Sequence, residues 1–81
     1  MDRNEFINLL KREGIDPELV AFDNYLFEGF NVRENRDCWD VFYRERGLEH
    51  SCVHFPTESD ALKYLFKEMK KEQHILLQLK K

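Results

Sequence analysis

The stretch Cys38-Trp39-Asp40-Val41-Phe42-Tyr43-Arg44-Glu45-Arg46-Gly47, followed by a second apolar alternation and then Phe55-Pro56-Thr57-Glu58-Ser59-Asp60-Ala61, decides the fold. In Cys38 to Arg44, the residues Trp39, Val41 and Tyr43 alternate with Asp40, Phe42 and Arg44, the two-residue period of a half-buried strand. Gly47 ends the run. A three-residue loop of Glu45, Arg46 and Gly47, with glycine in the left-handed position, is expected to join it to the next strand. That register puts Trp39, Val41 and Tyr43 on one face with Ser51, Val53 and Phe55. It puts Asp40, Phe42, Arg44, His50, Cys52 and His54 on the other, with Asp40 across from Cys52.

The segment after Phe55 reads as a helix start. Thr57 can accept a hydrogen bond from the Asp60 amide, and Glu58 and Asp60 place negative charge in the first turn. Ala61, Leu62, Leu65, Phe66 and Met69 then recur at helical spacing, with Lys63, Lys67, Glu68, Lys70 and Lys71 on the solvated side. Met69, Leu76 and Leu77 keep helical phase, which favours one continuous helix from Glu58 to Leu79, about 33 Å long at ~1.5 Å per residue. Its end projects beyond a domain of this size. Ile75, Leu76 and Leu79 are therefore expected either to be buried in a homodimer or against a partner, or to fold back onto the same core, with 74–81 as a tail.

Upstream, Phe6, Leu9 and Leu10 share a face of a helix from about Arg3 to Glu13, with Asp2 as N-cap and Gly14 at the C-terminal left-handed position. Pro17 suits the first position of a brief helical turn within Ile15 to Val20. Asn24 to Val32 reads as a first strand, and Asn31 to Asp37 as a polar connection. The expected fold is α+β: an N-terminal helix, a three-stranded antiparallel β-meander and a long C-terminal helix, the helices on one face of the sheet.

The strings Trp39 to Gly47 and Phe55 to Leu65 resemble small bacterial immunity proteins of polymorphic-toxin and contact-dependent growth-inhibition systems. The resemblance spans roughly the middle two-thirds of the chain, including Gly14-Ile15 and Tyr25 to Gly29. It implies a cytoplasmic protein without catalysis that binds and neutralises one cognate toxin domain by stoichiometric protein–protein inhibition; many such toxins are nucleases.

Eighty-one residues leave room for one domain and one small core. Seven Phe, three Tyr and one Trp supply large rings to fill it. The net charge of −3 argues against a nucleic-acid binder, whose phosphate contacts require a basic surface, and suits an inhibitor of a basic protein. A nucleic-acid platform of Tyr25, Phe27, Phe42, Arg33, Arg36, Arg44 and Arg46 is disfavoured by its acidic neighbours. No apolar run long enough to cross a membrane and no signal peptide are seen, so a reducing cytoplasm with Cys38 and Cys52 as separate thiols is expected.

His50, Cys52 and His54 project from one strand face, but their spacing fits no structural zinc pattern, and neighbours two apart on a strand are about 7 Å apart. No metal or cofactor is expected, and no oxyanion hole or orienting third group accompanies Cys52. The candidate toxin-binding surface is the sheet face away from the helices. Phe42 is its aromatic anchor among Asp40, Arg44, His50 and His54, with Glu28 from the first strand and Asp37 as part of an acidic patch. The alternative function is a small non-catalytic adaptor or regulatory module using the same face. Trp39 and Phe55 are expected to anchor the core.

Overall fold

The computed structural model describes residues 1–23 and 26–79, the last eight as backbone only. The chain is α+β. Helix α1 (Arg3–Arg12) leads through a 3-10 turn (Pro17–Leu19) to strands β1 (Val20–Phe22), β2 (Gly29–Asn35), β3 (Cys38–Glu45) and β4 (Leu48–Phe55), and helix α2 (Glu58–Leu79) closes the chain. The strands form one mixed sheet in the order β1-β2-β3-β4.

Both helices begin where polar side chains can take up their orphan amides. Asp2 accepts from Glu5 N at 2.8 Å and Thr57 Oγ1 from Asp60 N at 3.2 Å. Gly14, at φ 73°, ends α1 as Ile15 N donates to Leu10 O at 2.8 Å. Asp16 caps the 3-10 turn, with Pro17 at its start. Helix α2 is continuous to Leu79, as its phase predicts. The side chains of Ile75, Leu76 and Leu79 lie outside the described residues, and so does any dimer contact they would make.

Phe6 and Leu10 of α1, Ala61, Leu62, Leu65 and Met69 of α2, and Val20, Val32 and Val41 of the sheet form one buried core, so both helices cover the same sheet face. Trp39 and Phe55 are half-buried at its margin, not the central anchors expected. They stand opposite each other where β3 begins and β4 ends, at one end of the sheet. Arg3 ties the margin together: it stacks on Phe22 at 4.5 Å, donates to Glu58 at 2.9 Å and lies 3.5 Å from Asp23.

The sheet differs from a three-stranded meander at its N-terminal edge. Short β1 pairs in parallel with β2, Val20 opposite Phe30 and Phe22 opposite Val32. The expected first strand, Asn24 to Val32, instead begins at Gly29; Asn24 and Tyr25 lie outside the described residues. Gly29 holds φ 141°, and a Cβ there would come within 2.8 Å of the Phe27 ring, so the entry to β2 requires glycine. The segment Asn31 to Asp37 is not a connection. It is strand through Asn35, turning over Arg36-Asp37 straight into β3, with Arg36 at φ 58°. The run of polar and charged residues has the composition of a connection, because the partners that hold Arg33 in the sheet, Asp40 and Glu49, lie on other strands.

The β3–β4 hairpin is also tighter than expected. Glu45 pairs with Leu48 across a two-residue turn, Arg46 and Gly47, both with positive φ (53° and 78°) as a type I′ turn needs. Ser51 at φ 54° then bulges between Val41 and Tyr43. The extra residue restores the face parity that a two-residue turn alone would invert. Trp39 and Val41 stand opposite Phe55 and Val53, while Tyr43 stands opposite His50.

Candidate functional site

Two arrangements of chemistry-bearing side chains stand out, one on each side of the β3–β4 hairpin. On the sheet face away from the helices, alternation along β2 and β3 places Arg33, Asn35, Cys38 and Asp40 together, and antiparallel register brings His54 opposite Asp40. The Asp40 side chain has 0% exposure. Its Oδ2 accepts from Arg33 Nη2 at 2.9 Å, Arg33 Nε at 3.3 Å and Asn35 Nδ2 at 3.1 Å. Its Oδ1 faces His54 Nδ1 at 2.5 Å and Cys38 Sγ at 3.7 Å. A buried carboxylate is tolerated when every lone pair is met, as here. Burial on its own would raise the Asp40 carboxyl, but the hydrogen bonds from His54, Arg33 and Asn35 outweigh it and hold the group below its ordinary value.

Arg33 extends the network outward, with Nη1 2.9 Å from Glu49, and its guanidinium lies 4.6 Å above the Phe42 ring. Phe42 is therefore 2% exposed. The expected aromatic anchor is covered, and Asp40 is enclosed instead of contributing to an acidic surface. Both thiols sit above their ordinary pKa, Cys38 through burial and the Asp40 charge, Cys52 through burial and Asp40 with Arg33 working against them. That is the reverse of the activation a nucleophilic cysteine needs. Neither forms a disulfide.

On the helix side, a cleft of about 450 Å³ opens between β3–β4 and α2. Tyr43 and Tyr64 wall it with Phe30, and Glu45, His50 and Glu68 line it. Phe30 and Tyr43 meet edge to face, centroids 5.1 Å apart, which fixes the Tyr43 ring while leaving the residue 40% exposed.

The expected surface residues thus separate. Asp40 and His54 come together on the open face, with Asp37 exposed in the β2–β3 turn nearby. Glu28 accepts from Gly47 N at 3.2 Å and lies 3.4 Å from Arg44, bracing the hairpin turn. The two-residue turn sets His50 opposite Tyr43, and so on the cleft side. The expected grouping of His50, Cys52 and His54 does not form, and Cys38, Arg33 and Asn35 join the site in its place. The period-two placement of Asn31, Arg33 and Asn35 was the signal that could have found the last two.

No helix among the described residues is long and apolar enough to cross a membrane. No protein-family model, curated protein or solved structure matches this chain.

Proposed function

We propose that this protein is a cytoplasmic, non-catalytic inhibitor that binds one basic protein partner stoichiometrically, in the manner of an immunity protein neutralising its cognate toxin domain, with nucleases the favoured class of toxin. The cleft carries the reading. A lysine or arginine side chain entering it would meet the rings of Tyr43 and Tyr64 and the carboxylates of Glu45 and Glu68, an aromatic and acidic lining suited to a cation. Nucleases display such cations where they hold phosphate. The net charge of −3 adds long-range steering of the same sign, and the strings Trp39 to Gly47 and Phe55 to Leu65 supply the resemblance to immunity proteins.

The adaptor reading has one observation of its own. Strand β4 is eight residues long and has no strand beyond it among the described residues, so an extended segment of another protein could add to its edge. The Ser51 bulge restricts such pairing to its two ends.

Co-expression with the product encoded immediately upstream tests the proposal, scoring growth and co-purification. Toxicity of that product alone, rescue by this chain and a one-to-one complex support the immunity reading. Loss of rescue in a folded Tyr43→Ala, Glu45→Lys double variant places the contact at the cleft. A product that is harmless and uncomplexed, or rescue undiminished by the double variant, overturns the corresponding step.

A further inference from the structure

We propose that Cys38 Sγ, Asp40 Oδ1 and His54 Nδ1 form a three-ligand site for a divalent transition metal, zinc fitting best, with a fourth coordination position open to solvent. The three atoms lie within 4.8 Å of one another. Tetrahedral zinc with ordinary bond lengths separates its ligands by roughly 3.4–3.6 Å. The Sγ–Oδ1 distance of 3.7 Å is just above that range, and the imidazole need only swing back from 2.5 Å to admit the ion.

The backbone makes the arrangement. Cys38 and Asp40 are two apart on β3 and so share a face, and the register sets His54 opposite Asp40. A single hairpin therefore holds all three. The supporting contacts on the carboxylate are also in place: Arg33 and Asn35 occupy Oδ2 and leave Oδ1 turned to the site. Outer contacts of this kind orient ligands and tune affinity.

Charge favours a dication. Asp40 and Glu49 together outweigh Arg33 by one negative charge before the Cys38 thiol ionises. On binding, the thiol proton leaves to solvent and the imidazole ligates through Nδ1 as the tautomer protonated at Nε2, so thiolate formation brings the surroundings to two negative charges against the ion's two positive. Sulfur, nitrogen and oxygen together select zinc over magnesium or calcium, which take oxygen ligands. The His54 side chain is 63% exposed, so the fourth position faces water. Three protein ligands and a solvent molecule is the open form of a zinc site.

The test is titration of the metal-stripped full chain with cobalt(II) and then zinc. The proposal expects a one-to-one complex with a thiolate-to-cobalt charge-transfer band and intense tetrahedral d–d absorption, both erased by zinc. Cys38→Ser should remove the charge-transfer band, Asn35→Ala should weaken binding about 10–100-fold, and His54→Gln should weaken it further. Cys52→Ser, on the same strand as His54 but outside the ligand set, should change nothing. Far-UV circular dichroism establishes that each variant is folded, and His54→Gln, at an exposed position, decides the matter if Cys38→Ser does not fold. No charge-transfer band in the folded wild type, undiminished affinity in His54→Gln, or a band lost in Cys52→Ser overturns the site.

Discussion

Asp40 and His54 stand directly opposite each other in the β3–β4 register, Nδ1 2.5 Å from Oδ1, although one side chain is fully enclosed and the other is 63% exposed. The contact joins a buried charge to a group that solvent can reach. Its existence depends on the Ser51 bulge. With the two-residue turn and no extra residue, Asp40 would face Val53, and its carboxylate would lose the imidazole.

The first consequence is a dependence of stability on pH, in chelator-treated protein. The Asp40 carboxyl is held below its ordinary value of 3.8, burial being outweighed by hydrogen bonds from His54, Arg33 and Asn35. A carboxylate depressed in the folded state contributes stability that is present above the ordinary value and is lost as pH falls through the folded one. Asp40→Asn removes the charge and leaves Arg33 facing an amide, which should lower stability by about 3 kcal/mol near neutrality. Urea unfolding at about pH 7 and about pH 3 should show the gap between the two proteins narrowing in acid. A gap of constant size would mean that Asp40 titrates alike in both states.

Burial orders the core substitutions differently from ring size. Phe6 and Leu65 are fully enclosed, and Phe6 meets Phe22 edge to face at 6.2 Å. Truncating either to alanine should cost about 3–5 kcal/mol, close to the whole stability of a domain this small. Trp39→Ala removes a larger ring that remains half-exposed and should cost about 1.5–3 kcal/mol. Denaturant midpoints settle the order, and a Trp39→Ala loss exceeding that of Leu65→Ala would place the centre of the core nearer β3 than α2.

Where local chemistry was unambiguous, the sequence was a good guide. Asp2, Gly14, Pro17 and Thr57 act through contacts within a few residues of themselves, so both helices and the 3-10 turn could be read from them. The missed features depend on partners distant in the chain. The Arg36-Asp37 turn has neither glycine nor proline, and Arg33 reads as a loop residue until Asp40 and Glu49 are seen to hold it. β1 is three residues long, too short for a period to emerge. Phe42 looked exposed because strand alternation reports a face and not what lies over it, and here Arg33 lies over it. The Asp40 cluster was hidden for the same reason as the bulge: Ser51 has no residue type that announces a left-handed backbone.

Arg46 and Ser51 share that backbone, at φ 53° and 54°, but their places in the hairpin give substitutions there different outcomes. Arg46 is the first central residue of a type I′ turn preceding Gly47, so Arg46→Asn creates the favoured Asn-Gly pair and should stabilise by about 0.5–1 kcal/mol. A domain of this size should then melt about 3–6 °C higher. At Ser51, glycine should likewise be tolerated, whereas Ser51→Val forces a β-branched side chain into the left-handed region at a cost of about 1–2 kcal/mol. Deleting Ser51 acts at a higher level, because it removes the register shift. Val53 and Phe55 would turn away from the helices, and Cys52 and His54 toward them, so the deletion should abolish cooperative unfolding. A deletion variant that still melts cooperatively near the wild-type temperature would show that the turn, and not the bulge, absorbs the extra residue.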